Sequence, residues 1–258
     1  MNQYKIAVCI SGQTRTFNYC KESLLEFFPN CDFYCHTYDY NSYHEPGISP
    51  ILDDWEETII DDIKNTLNPI DFKLTTREES VKLFKSIGWS GDEGAINNYS
   101  MVYSILESFN YDLSKYDFVI KTRYDLIYDP RPERHLNYFL RNSIDDYDFL
   151  TDGLQLEEQF AFNDALFVCG KETAKLISEY KKEFINIEFP TNKTFIDFLI
   201  NNGVKVKLIE QPWQIVRPRY TRQEKDWKKL FIQYRNILWN DPSHLPGKSK
   251  EYFERNPV

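Results

Sequence analysis

The stretch YDFVIKTRYDLIYDP, Tyr116 to Pro130, decides how this chain is read. It opens on Phe118-Val119-Ile120, an apolar run suited to a sheet interior covered on both faces. It then meets Lys121, Arg123, Asp125 and Asp129, with no glycine among them. A buried strand that ends in opposite charges needs a reason, and the neighbouring segments supply the frame for one. Just before it, INNYSMVYSILESF sets Met101, Val102, Ile105, Leu106 and Phe109 at helical spacing, which predicts one buried stripe. Further upstream, TTREESVKLFKSI predicts a capped helix, because Thr76 with Glu79 three residues on forms a capping box. IDFKL is a short strand, and Asp53 and Asp54 open an acidic helix that runs to Leu67. CDFYCHTY and the run from Tyr4 to Ile10 are strands, with the helical NYCKESLLEFF between them.

Downstream, Asp148 to Thr151 and Ala165 to Cys169 read as short strands, and Lys171 to Phe184 and Asn192 to Asn201 as helices. The second helix stops at Asn202-Gly203, and VKVKLI follows as a strand. Gln211 to Tyr220 reads as irregular, and Glu224 to Trp239 as a helix. Strands alternating with helices predict an α/β fold: a mostly parallel, Rossmann-like sheet with helices on both faces. A C-terminal helical appendage completes it. Residues 1–210 are expected to form the main domain. Residues 211–258 are expected to be a basic flap, helix and tail appended to the same domain. Arg217, Arg219, Arg222, Lys225, Lys228 and Lys229 cluster there, as a solvated face or as an anion-binding flap.

Bulk properties remove several function classes. Hydrophobic content of 41% and charged content of 28% describe an ordinary globular chain rather than a disordered one. A net charge of −9 argues against a nucleic-acid binder, which carries a basic stripe. The N-terminal apolar run is too short for a signal peptide, and no window approaches the roughly eighteen apolar residues of a membrane span. Five scattered cysteines, an odd number, favour reduced thiols and a cytoplasmic setting. Any membrane contact would be peripheral, through the basic C-terminal segment. Cys31-x-x-x-Cys35-His36 has no second Cys/His pair to complete a metal site. Cys9, Cys35 and Cys169 sit in apolar runs and are expected to be buried thiols. His36 lies within a strand and is expected to be a satisfied core histidine.

In open α/β sheets, ligands bind outside the carboxyl ends of the strands. That rule selects two loops. After the first strand comes Ser11-Gly12-Gln13-Thr14-Arg15: a tight turn at Gly12, hydrogen-bonding side chains, and an Arg fork suited to phosphate. The helix behind it can add its N-terminal amides. The glycines and lysine of a P-loop or a GxGxxG fingerprint are absent. After the fourth strand comes Lys121-Thr122-Arg123-Tyr124-Asp125. In an extended chain Arg123 and Asp125 share a face, Lys121 lies behind them and Tyr124 points the other way. The pair either neutralises itself or meets a phosphorylated ligand. No G-x-S-x-G is present for a serine hydrolase, and the four histidines lack metal-ligand spacing.

The order IAVCISGQTRTF, CDFYCHTY, YDFVIKTRYDLIYD, NDALFVCGKETAKLI resembles the GT-A glycosyltransferases, over roughly Lys5 to Ile209. It is most similar to small glycosyltransferases of bacterial polysaccharide clusters, phages and large viruses. The resemblance implies a nucleotide-sugar-dependent enzyme that transfers a hexosyl or deoxyhexosyl unit from a nucleoside diphosphate sugar to a hydroxyl of a glycan acceptor. It implies donor contacts from Ser11, Gly12, Gln13, Arg15, Arg123 and Asp125. It also implies an acceptor side near Asn163-Asp164, where Asp164 would be the general base if the enzyme inverts, with Glu157-Glu158 as a rival; retention or inversion stays open. The family's Asp-x-Asp triplet, which holds a divalent metal, falls on Arg123-Tyr124-Asp125 here. A cation replaces the first carboxylate. Residues two apart on a strand are about 7 Å apart. An Arg at that distance from a dication costs on the order of 5 kcal/mol at an effective dielectric of about 20. Two arrangements stay open. Arg123 binds the diphosphate directly, or Asp125, helped by Asp129, binds Mg or Mn together with the nucleotide. A sugar nucleotidyltransferase and a non-catalytic carbohydrate-binding protein are the alternative functions.

Overall fold

The computed structural model describes residues 4–39, 58–86, 93–131, 136, 145–146, 148–151, 154–156, 159–161, 165–184, 192–208, 213–216 and 225–240. The decisive stretch splits into two strands. β4 (Phe118–Thr122) lies in the central sheet, and β5 (Leu126–Tyr128) leaves it after a turn. The central sheet also contains β1 (Ile6–Gly12), β2 (Asp32–Tyr38), β3 (Asp71–Thr75), β6 (Asp148–Thr151), β9 (Phe167–Gly170) and β10 (Lys205–Leu208). Its order is β10-β6-β9-β4-β1-β2-β3. Only β9 runs against its neighbours β4 and β6; the other pairs are parallel. The expected α/β class with a mostly parallel sheet is therefore present.

Alternation along the strands builds two core layers, because successive side chains point to opposite faces. Val8, Ile10, Cys35, Ile120, Leu150 and Val168 face α1 (Phe17–Phe27) and α2 (Ile59–Leu67). Ala7, Cys9, Tyr34, Val119, Phe149 and Phe167 face the other way. That layer is closed by α3 (Arg77–Ser86), α4 (Glu93–Ser108), α5 (Lys171–Phe184) and α6 (Asn192–Asn201). Of the stripe expected on α4, Val102, Ile105, Leu106 and Phe109 are buried and Met101 is partly buried against them. The capping box of α3 closes in both directions: Glu79 N donates to Thr76 Oγ1 (3.1 Å) and Thr76 N to Glu79 Oε2 (2.8 Å). Gly203 ends α6 with a positive φ of 83°.

The described part of the acidic helix is α2, Ile59–Leu67; its expected opening at Asp53 and Asp54 lies outside the described residues. Gln211 to Tyr220 is not wholly irregular: β11 (Trp213–Ile215) pairs antiparallel with β5. A small hairpin, β7 (Leu154–Leu156) with β8 (Gln159–Ala161), precedes β9. The C-terminal helix α7 (Trp227–Asn240) buries Trp227, Leu230 and Phe231 against Cys20 of α1, Ile127 of β5 and Val216. No helix among the described residues is long and apolar enough to cross a membrane.

All five cysteines are free thiols, and Cys9, Cys35 and Cys169 are buried as expected. Burial pushes the Cys35 thiol up to about 12. His36 is a satisfied core histidine. Its Nδ1 is 3.2 Å from Ser104 Oγ and its Nε2 2.8 Å from Thr75 Oγ1. Burial lowers its pKa to about 3. The folded protein keeps this ring neutral while the unfolded chain protonates it near pH 6.5, so the stability it contributes is complete above pH 6.5. That stability is lost as pH falls toward the folded value, by about 1.4 kcal/mol per pH unit. Melting temperatures recorded from pH 7.5 to 5 should fall more steeply for the native chain than for His36→Asn, which has no imidazole to protonate. Parallel curves would show that His36 is not the acid-sensitive group.

Candidate functional site

The chain steps from β1 to β2 to β3 in one direction and then returns to place β4 on the other flank of β1. That reversal is a topological switch point, where the crevice outside the strand ends opens. Register places the two selected loops side by side there: Cys9 lies opposite Lys121 and Ile10 opposite Thr122.

The first loop is held by its own backbone and by β2. Gly12 has a φ of 119°, a conformation that disfavours any side chain, while the space around it would admit a Cβ without contact. Thr37 Oγ1 donates to Gly12 O (2.8 Å), and Phe17 N donates to Thr14 O (2.7 Å) where α1 begins. Arg15 Nε donates to Gln13 Oε1 (2.7 Å). Ser11 Oγ and Thr14 Oγ1 are buried and have no hydrogen-bond partner among the described residues. Leaving a buried hydroxyl unsatisfied costs about 1–3 kcal/mol. Two such groups lie close together here, one at the end of β1 and one in the turn that follows it.

The second loop differs from its expected form. β4 stops at Thr122, and the turn through Tyr124 and Asp125 replaces an extended chain. Arg123 and Asp125 do share a side, but they touch instead of standing 7 Å apart. Arg123 Nε donates to Asp125 Oδ1 (2.9 Å) and Nη2 to Oδ2 (2.9 Å). The carboxylate is 1% exposed and the guanidinium side chain 19% exposed. Tyr124 points inward, edge-on to Phe17 with ring centroids 5.9 Å apart. Asp129 repeats the pattern: Arg131 Nε reaches both of its oxygens, at 2.8 and 3.0 Å, and Nη2 also binds Oδ2. There the carboxylate is 3% exposed and the arginine 33%.

Sequence reasoning missed two features. Lys121 is buried, on the same strand face as Val119. The signal was available in the period-2 pattern, which puts residue 121 on the covered face. Thr16 was not singled out either. Its Oγ1 donates to Val216 O (3.1 Å), while Val216 N donates to Asp125 O (2.8 Å). These bonds tie the first loop, the Asp125 turn and the C-terminal segment together. Nothing local in the sequence marks a contact between residues 200 positions apart. Asp164, Glu157, Glu158, Arg217, Arg219 and Arg222 lie outside the described residues.

A divalent cation does not fit Asp125 as the side chains stand. Both carboxylate oxygens already accept from Arg123, and the group is almost fully enclosed. A metal on either oxygen would sit about 5 Å from the guanidinium, a repulsion of about 7 kcal/mol at an effective dielectric of about 20. Among the described residues, no group of three or more His, Cys, Asp or Glu could hold a metal ion.

No protein-family model matches the chain, and no curated protein matches it. Solved structures give distant likenesses. Mouse xyloside xylosyltransferase 1, in its apo form, is 11% identical, with a TM-score of 0.42 over 80% of this chain and 85% of that one. A glycosyltransferase involved in glycosylation of the major capsid of PBCV-1 is 9% identical, with a TM-score of 0.42 over 80% and 82%. The galactosyltransferase LgtC, in complex with donor and acceptor sugar analogs, is 13% identical, with a TM-score of 0.40 over 78% and 72%. Each is a similarity of chain course too slight to add to the chemistry of the site.

Proposed function

We propose that this chain is a glycosyltransferase that moves a sugar from a nucleoside diphosphate sugar to a hydroxyl of a glycan acceptor. The observation that carries the proposal is the pairing at the switch point. A segment with two buried hydroxyls that have no partner among the described residues lies beside a strand end crowned by an arginine. Neutral donors and a fixed guanidinium together suit a phosphorylated ligand. The sequence resemblance to GT-A enzymes supplies the class of that ligand. In this reading Ser11, Gly12, Gln13 and Arg15 hold the nucleotide end and Arg123, fixed by Asp125, faces the diphosphate. Asp164 takes the proton from the acceptor hydroxyl as general base. Residues 1–210 carry the site, and the basic segment from 211 onward borders it through Val216.

A thermal-shift panel tests the reading. UDP-, GDP-, dTDP- and ADP-sugars, nucleoside triphosphates paired with sugar phosphates, and free glycans are each added to the full chain. Stabilisation by one nucleotide-sugar is the expected result, since a ligand at 100 times its Kd adds about 2.7 kcal/mol. Stabilisation only by a triphosphate with a sugar phosphate would replace the reading with a nucleotidyltransferase. Stabilisation by free glycans alone would replace it with a carbohydrate-binding protein.

A further inference from the structure

The strand-end acids of this site are each capped by an arginine. Asp125 lies between the charge of Arg123 and the protein interior, and Asp129 stands in the same relation to Arg131. In both pairs the carboxylate is enclosed and the arginine is the partner that reaches solvent. A hard cation such as Mg or Mn needs carboxylate lone pairs open toward it, at about 2.0–2.6 Å. Here those lone pairs point into guanidinium N–H groups. The two acids are also separated by the whole of β5, so roughly 13 Å of extended chain lies between them and they cannot act as one chelating pair.

An arginine placed this way does a different job from a metal ligand. Its charge is permanent, because the guanidinium does not lose its proton in proteins. Two bonds to a buried carboxylate fix its plane, so little side-chain freedom is lost when an anion arrives. The Ser11 and Thr14 hydroxyls add neutral donors. The positive charge that a diphosphate needs is therefore built from side chains.

We propose that this site binds the diphosphate of its ligand on Arg123 without a divalent metal, with Asp125 as the positioning residue that orients the guanidinium. This rests on the nucleotide-sugar reading above and specifies how its donor is held. It predicts that donor binding is indifferent to chelators, whereas a site organised by Asp125 as a metal ligand would depend on them.

Titration calorimetry of the full chain with UDP, GDP, dTDP and ADP, each in EDTA and again in Mn, decides the matter. The expected result is one nucleotide whose Kd differs by less than about fivefold between the two conditions. Arg123→Lys, which keeps the charge and loses the fork, is expected to weaken that nucleotide equally with and without Mn. A gain of about fivefold or more with Mn overturns the proposal and leaves the nucleotide-sugar reading standing. Binding by none of the four in either condition overturns both. The EDTA and Mn comparison on the native chain is sufficient by itself, so the outcome does not depend on the variant folding.

Discussion

Phe167→Ala should lower the stability of the fold by about 3–5 kcal/mol, the cost of deleting a fully buried phenylalanine. Phe167 is at the centre of the layer closed by α4, α5 and α6. Its ring lies 4.7 Å from that of Phe149, 5.7 Å from that of Phe109 and 6.5 Å from that of Phe195. It also stands on β9, the one strand that opposes its neighbours, opposite Lys121 on one side and Thr151 on the other. An alanine would leave a cavity bounded by three aromatic rings on three different elements, which cannot all move inward together. For a chain of this size each kcal/mol shifts the melting temperature by about 2–4 °C, so a fall of roughly 6–20 °C is expected. Calorimetric melting of the variant measures it. A loss below about 1 kcal/mol would mean that the layer closes over the gap and that the ring cluster is not the rigid centre described.

Arg123→Ala should weaken the binding of the stabilising nucleotide by about 1.5–3 kcal/mol, the worth of a hydrogen bond to a charged group. That corresponds to roughly tenfold to 150-fold in Kd. The same change strips the guanidinium from a carboxylate that is 1% exposed, so a drop in melting temperature should accompany it. Calorimetric titration at a temperature where the variant remains folded separates the two effects. Unchanged affinity with the fold intact would remove Arg123 from the site.

Much of the architecture was legible because it is written in local periods. The apolar runs of β1 and β4, the stripe on α4 and the Thr76–Glu79 box are decided within a few residues of themselves, and the structure repeats them. The buried state of His36 was legible for the same reason, since a strand between two covered layers leaves its side chains no access to water. The stretch from Tyr116 was read correctly as far as Thr122. Beyond it the pleat argument failed, because a turn at Tyr124 and Asp125 replaces the extended chain.

The sequence by itself therefore determined the layers of the central sheet: its main strands, the helices that cover them, and which face of each is buried. Residue spacing sets these through periods of 2 and 3.6 that need no distant partner. Only the tertiary structure decided that Arg123 closes onto Asp125, that β11 returns to pair with β5, and that Val216 bridges Thr16 and Asp125. Those contacts form between segments far apart in sequence or across an unmarked turn. They depend on where the sheet brings its strand ends together, and no local pattern encodes that.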